Sequence, residues 1–483
     1  MYASKRALVD ADPTARHKGH EPAGARRHRP LCGDDGCDGL TWPPETGAIR
    51  RFLARSEKGH AGMKLSKSGE KMSEMSGLRS IMEDVATSTA AGASDWLNLS
   101  IGNPAQIKEV VDTWRDLTAT VVAEDFSLTS SRYGPSRGMP ALVDEIVAHF
   151  NTRYGWGITA DNVAVGPGSQ MLFFIATALF AGEVTDGSFQ RVVLPMTPDY
   201  PGYLGLSMDP DGVTGIAPKI ELTGDRSFQY AFDFEALERC PEIGMLLLSS
   251  PSNPTGRSID GDELARLIDV ARRRDVPLIV DHAYGTPFPR VAASRVAPQW
   301  DEHLINCFTL SKAGLPAERI GFAIGPSRYI RAMVSFMANS VLHAPQLMQR
   351  VAARALSSGL LDRLASTVIS PFYRTRRLYA ERLLADLLPD SIDWRLHAGE
   401  GGMFCWLWID HDWFDDMALY RLMKTKKVFV VPGRHFFGKP MSTTSEAPHA
   451  KRCFRISLTA DEHVIAEGVA RIAEGLLELR HSA

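Results

Sequence analysis

Residues able to do chemistry stand where the apolar runs of this chain stop. MLLLSS is followed by Pro251-Ser252-Asn253-Pro254-Thr255-Gly256, and PLIV by Asp281, with Tyr284 three residues on. INCFTL is followed by Ser311 and Lys312, and Arg319 lies seven residues past the lysine. Gly168, Ser169 and Gln170 stand where a strand-like run gives way to an apolar helix, and Arg455 lies near the C-terminus. A lysine amine can attack a carbonyl or carry a proton. A guanidinium can grip a carboxylate or phosphate through two parallel hydrogen bonds. The free N–H groups of a helix start attract anions. These residue types therefore suit a small anionic ligand.

Each feature also has a plain reading. NPTG is a common turn, and an aspartate after a strand is often a helix cap. A Ser-Lys pair is usually a surface dipeptide, and GPGSQ can be a tight turn. Arg455 alternates with Phe454 and Ile456 in a strand-like run, so it points away from two apolar neighbours. Their shared position at the ends of apolar runs separates this set from chance.

The elements that must position them alternate from about residue 95 onward. WLNLSIGNP reads as a short strand ending in a polar turn. PALVDEIVAHFNTRYG reads as a helix with Leu142, Ile146, Val147 and Phe150 on one face. NVAVGPGSQ is a strand and a Gly-rich turn, followed by the apolar helix MLFFIATALFAG. GMLLLSS, VPLIV and LINCFTL are continuous apolar runs, the pattern of strands buried on both faces in a parallel sheet. Helical segments such as GDELARLIDVARRRD lie between them. This is the α/β alternation of a mostly parallel, doubly wound sheet, whose ligand site lies at the carboxyl ends of the strands. From about residue 365 the pattern changes to long helices, strands around GGMFCWLWID and KRCFRISL, and a closing helix. That stretch reads as part of a smaller α+β domain.

The 483 residues exceed what one small core needs and suggest two or three domains. Residues 1–62 are rich in Arg, His, Gly, Pro and Asp and read as a disordered extension. Residues 63–112 read as the N-terminal part of the small domain with a substrate loop, 113–345 as the large domain, and 346–483 as the small C-terminal domain. Hydrophobic residues make up 44%, charged residues 23%, and the net charge is −3. Nothing in that balance asks for nucleic acid or a membrane surface. No apolar run approaches the ~20 residues of a membrane span. Six cysteines are thinly spread, with only Cys32 and Cys37 close together and no second ligand pair at zinc-site spacing. No metal is expected, and a reducing, cytoplasmic setting fits.

The combined pattern NPTG…D-x-x-Y…SK…R…R resembles the fold type I pyridoxal 5′-phosphate (PLP) enzymes, in particular the class I/II aminotransferases, from about Ser76 to Leu479. The resemblance implies PLP carried on Lys312 as a Schiff base, with that amine moving a proton when freed. It implies Asp281 against the ring nitrogen, and Tyr284 and Asn253 at the ring oxygen. Ser169, Gln170, Ser311 and Arg319 would hold the phosphate, and Tyr200 would stack on the ring face. Arg455 and Gly102 would receive the substrate carboxylate together with Asn253. Tyr133 matches a tyrosine that reaches the phosphate from a second subunit, which implies a homodimer.

Many class members place the phosphate arginine eight residues after the lysine, so AGLPAE here is one residue short. The valine–pyruvate aminotransferase group shares that loop, and this chain also resembles it in GNPAQI, VLPMTPDYPGY, DHAYGTPFP and VVPGRHFF. Where that group usually has Asn after the aspartate, this chain has His282, which could retune Asp281 or simply pack. The expected reaction moves an amino group between a neutral aliphatic amino acid and a 2-oxo acid such as pyruvate. A lyase, decarboxylase or cyclase on the same fold would use the same lysine and aspartate. Residues 1–62 lack the helix pair that a DNA-binding fusion of this fold would need.

Overall fold

The runs Ile243–Ser249, Leu278–Asp281 and Leu304–Thr309 lie side by side as parallel strands, and every residue in them is buried. They belong to a computed structural model that describes residues 64–75, 77–89, 95–438 and 446–482. The expected extension over 1–62 lies outside the described residues. Successive side chains of a strand face opposite sides of its sheet. Leu246, Leu248 and Val280 pack on one side against Leu264, Leu267 and Ile268 of helix Gly261–Arg274. Met245, Leu247 and Ile279 pack on the other, against Leu172 and Phe173 of helix Ser169–Phe180 and Met333 of helix Ser327–Ser340. Burial on both faces is why these runs are unbroken in sequence.

The sheet runs Val163–Gly166, Gly321–Ile324, Leu304–Thr309, Leu278–Asp281, Ile243–Ser249, Phe189–Leu194, Gly182–Glu183, with Val213–Gly215 beside Phe189–Leu194. Gly321–Ile324 and Gly182–Glu183 are antiparallel to their neighbours, and the remaining strands share one direction. The sheet is mostly parallel, as the apolar runs predict. Its register places Asp281 opposite Ser249 on one side and Cys307 on the other. The three central strands therefore end together, and the segments bearing Asn253, Tyr284 and Lys312 leave from one edge.

A second sheet runs Val431–Pro432, Cys453–Ser457, Phe404–Ile409, Trp394–His397, Ser227–Ala231, Lys219–Gly224. Its last two strands form a hairpin from the middle of the chain, which the sequence reading did not foresee. In Ser227–Ala231 only Phe228 and Tyr230 are fully buried, the alternation of a one-sided strand. Arg455 sits in Cys453–Ser457, opposite Trp406 and Val431. Leu97–Asn98 pairs with Val428–Phe429, which anchors the segment leading to Gly102. Helix Pro140–Tyr154 buries Leu142, Val143, Ile146 and Phe150, while Val147 is half-buried at the edge of the stripe. Among the described residues no helix is long and apolar enough to cross a membrane.

Helix Gly261–Arg274, which covers one face of the large sheet, starts with a reciprocal cap. Asp260 Oδ1 accepts from Glu263 N at 2.9 Å, and Glu263 Oε2 accepts from Asp260 N at 3.0 Å. Asp260→Ala should lower the free energy of unfolding by about 1 kcal/mol in a urea titration, with the far-ultraviolet circular dichroism of the folded protein unchanged.

Candidate active site

Asp281 closes its strand with a carboxylate that water does not reach. Its Oδ2 accepts from Tyr203 Oη at 2.8 Å and its Oδ1 from Ala283 N at 3.0 Å. Burial pushes the carboxyl up to about 6, while Tyr203, the Ala283 N–H and the charge of Lys312 hold it from rising further. No ion pair answers it among the described residues.

Lys312 lies in a short 3₁₀ turn just past Leu304–Thr309. Its Nζ donates to Gly102 O at 2.7 Å and lies 5.8 Å from the centre of the Tyr284 ring. Burial and the charge of Arg455 push this amine down to about 8, with Asp281 pulling the other way. Tyr284 Oη accepts from Asn253 Nδ2 at 3.4 Å, and burial raises this phenol. Asn253 Oδ1 in turn accepts from Arg455 Nη1 at 2.9 Å. Arg455 is buried, donates to Ser100 O at 3.0 Å, and lies 4.0 Å from the Phe404 ring centre and 5.2 Å from that of Phe436. Its Nε has no partner, and no carboxylate pairs with it among the described residues. Lys312, Gly102, Tyr284, Asn253 and Arg455 thus form one continuous set.

A second group gathers at the start of helix Ser169–Phe180. Gly168 caps it at φ +82 with no side-chain cap, so among the described residues the first N–H groups keep no side-chain acceptor. A Cβ on Gly168 would sit 2.3 Å from Arg319 Nη2, so only glycine lets the guanidinium lie against this turn. Arg319 Nη1 donates to Pro316 O at 2.9 Å and reaches Ser311 Oγ at 3.4 Å. The short loop after Lys312 closes through a left-handed backbone at Arg319, φ +54. Gln170 Nε2 donates to Gly202 O at 3.1 Å and ties the helix start to the turn that carries Tyr200. Tyr200 is half-buried, with its ring edge-on to Tyr203 at 5.2 Å.

Two further residues singled out in the sequence stand outside this set. Tyr133 is 87% exposed, edge-on to His343, and makes no contact with this set within the chain. His282 packs: its ring stacks on Phe308 at 4.9 Å and its Nε2 bonds Asn306 Oδ1 at 2.8 Å. Burial pushes it down to about 4, so it stays neutral. Trp406 bonds Tyr230 in the core, and Phe437 packs there with it. Sequence reasoning missed Tyr203, the hydrogen-bond partner of Asp281, although it stands three residues after Tyr200 in the same PDYPGY run. It also missed Asp199, a buried carboxylate beside Tyr200.

A family profile described as aminotransferase class I and II matches residues 94–472. The chain belongs to the class I and II aminotransferases. It is 33% identical to the valine–pyruvate aminotransferase of Escherichia coli over 85% of this chain and 98% of that protein. It is similar to the crystal structure of a valine–pyruvate aminotransferase from Salmonella typhimurium, with TM-score 0.75 and 30% identity over 84% of this chain and 100% of that one. The fold also matches the α-aminoadipate aminotransferase LysN of Thermus thermophilus, solved with N-(5′-phosphopyridoxyl)-L-leucine, at TM-score 0.67 and 21% identity over 87% of this chain and 98% of that one. The family uses PLP, and this aminotransferase is a PLP-dependent enzyme. The residues present fit that cofactor. Among the described residues Asp281 is a buried carboxylate with no ion-pair partner, Lys312 an amine near enough for its charge to act on that carboxyl, and the Gly168 turn with Ser311 and Arg319 a group of donors.

Asp281 generates a prediction about pH. Its carboxyl lies above its ordinary value of 3.8 in the folded chain, so its contribution to folding is fullest below that value and is lost as pH rises through about 6. Asp281→Asn should therefore raise the stability of the cofactor-free protein at pH 8, on the order of 2 kcal/mol, and leave it unchanged near pH 4. The same substitution should weaken PLP binding. Equal melting temperatures of the two proteins at pH 8 would contradict the assignment of that buried charge.

Proposed function

We propose that this aminotransferase exchanges an amino group between a neutral aliphatic amino acid of the valine or alanine type and a 2-oxo acid such as pyruvate, acting as a homodimer. The likeness to valine–pyruvate aminotransferases over most of the chain carries this reading. The apolar bed of Arg455, made by Phe404 and Phe436, supports it.

Lys312 is assigned as the covalent attachment point for PLP and as the proton carrier. Bound PLP supplies an electron sink for the bond broken at the substrate α-carbon. An amine held near 8 is readily freed of its proton around neutral pH and can both attack and accept. The Gly102 carbonyl fixes where Nζ points. Asp281, kept in place by Tyr203 and the Ala283 N–H, holds a proton on the ring nitrogen. Tyr284 and Asn253 would donate to the ring oxygen, and Tyr200 would pack on the ring. The Gly168 turn with Ser169, Gln170, Ser311 and Arg319 receives the phosphate. Tyr133, exposed here, reaches the phosphate of a second copy in the dimer. Arg455 takes the substrate carboxylate through its unpartnered N–H and its fork, with Asn253 beside it.

Purified holoenzyme given L-valine and pyruvate should form alanine and the matching 2-oxo acid in equal amounts. Ammonia release without alanine would move the enzyme to the lyases. Lys312→Ala should abolish both the reaction and the visible absorbance of lysine-bound cofactor. Arg455→Lys keeps the charge and loses the fork, so kcat/KM should fall on the order of 10–100-fold, mostly through KM, with little change in PLP affinity. Equal loss of both would place Arg455 outside the substrate site.

A further inference from the structure

Beside Asp199 lies a small cavity on the scale of one water molecule, walled by Phe232, Leu248 and Ile259 and carrying Ser252 and Arg257 as well. The Arg257 side chain is 2% exposed. Its Nη2 pairs with Glu263, but among the described residues its Nε and Nη1 have no partner, and neither has Ser252 Oγ. Buried donors are rarely left unpaired, and a polar cavity with two to four partners is where an internal water is held. On the opposite side Asp199 grips the neighbouring site. It accepts from Tyr200 N at 2.7 Å, from Ser249 N at 3.0 Å, and from Ser249 Oγ. Ser249 Oγ accepts from Asn253 N at 3.3 Å. Asp199 N donates to the carbonyl of Phe436, whose ring lies beneath Arg455.

We propose that Asp199 is a positioning residue, locked by one internal water shared with Arg257 and Ser252, that sets the place of Tyr200 directly and of Asn253 through Ser249. The water accepts from Arg257 and Ser252 and donates to Asp199. Burial, with the charge of Asp281, pushes the Asp199 carboxyl up to about 7 despite the hydrogen bonds from Ser249 and Tyr200, so a water-borne link to a cation supports its charged form. The inference rests on the reading that Tyr200 and Asn253 face the cofactor.

A crystal structure of the holoenzyme that resolves waters should show one within hydrogen-bonding distance of Arg257, Ser252 and Asp199. Asp199→Asn keeps size and most contacts, and should leave the melting temperature within a few degrees of wild type. It should weaken the visible circular dichroism of the bound cofactor and lower kcat about tenfold with KM little changed. Ser249→Ala breaks only the arm that leads to Asn253 and leaves the Tyr200 contact, so it should lower kcat by a smaller factor than Asp199→Asn. A dry cavity, or an Asp199→Asn holoenzyme with wild-type dichroism and kcat, overturns the proposal. Lys312→Ala separates the two readings. If it keeps lysine-bound absorbance the cofactor assignment itself fails; if it loses that absorbance while Asp199→Asn is silent, only this inference fails.

Discussion

The carboxylate of Asp281 is charged where water does not reach, and the hydrogen bonds from Tyr203 and the Ala283 N–H only partly offset that burial. A buried ion of this kind is tolerated where something of opposite charge answers it. Arg455 presents the converse problem. It is buried on Phe404 and Phe436, bonded to an amide and a carbonyl, and lacks a carboxylate among the described residues. The site therefore has a negative end and a positive end, each incomplete without a ligand. In the proposed function, a cofactor with a cationic ring nitrogen would answer the first and a substrate carboxylate the second.

Holding two such charges apart requires two different sheets. Asp281 comes from the centre of the large sheet, where parallel register ends three strands in one row. Arg455 comes from an antiparallel strand of the second sheet. Asn253 touches both Tyr284 and Arg455 and so joins the two halves. The backbones come close at Gly256, where a Cβ would lie 2.1 Å from Gly401 O. NPTG is thus more than a turn here, since its glycine permits the two sheets to approach around the pocket.

Much of this was legible in the sequence, for a physical reason. Strands buried on both faces leave unbroken apolar runs, and their polar ends mark the ligand edge, so Asn253, Asp281 and Lys312 could be read directly. Pairings between distant segments leave no such trace. Tyr203 and Asp281 are 78 residues apart, and Arg257 completes a cavity with Asp199 that no local pattern announces. The hairpin Lys219–Gly224 with Ser227–Ala231 escaped because its partner strand Trp394–His397 is remote in sequence. His282 was ambiguous for the opposite reason, since only its stacking on Phe308 shows that it packs.

The places where this chain breaks local rules coincide with the places where it can do chemistry. Asp199 and Asp281 are both buried, and the loss of solvent raises both carboxyls, that of Asp199 further through the charge of Asp281. Lys312 is pushed down by burial and by Arg455, and pulled up by Asp281. Its amine thus registers the balance between the two ends of the pocket. When a ligand neutralises Asp281, the upward pull on Lys312 weakens; when a carboxylate neutralises Arg455, the downward push weakens. The readiness of this lysine to give or take a proton therefore follows which ligands are in place. A buried amine between two unanswered charges couples ligand binding to proton transfer in a way that an exposed lysine, screened by water, does not.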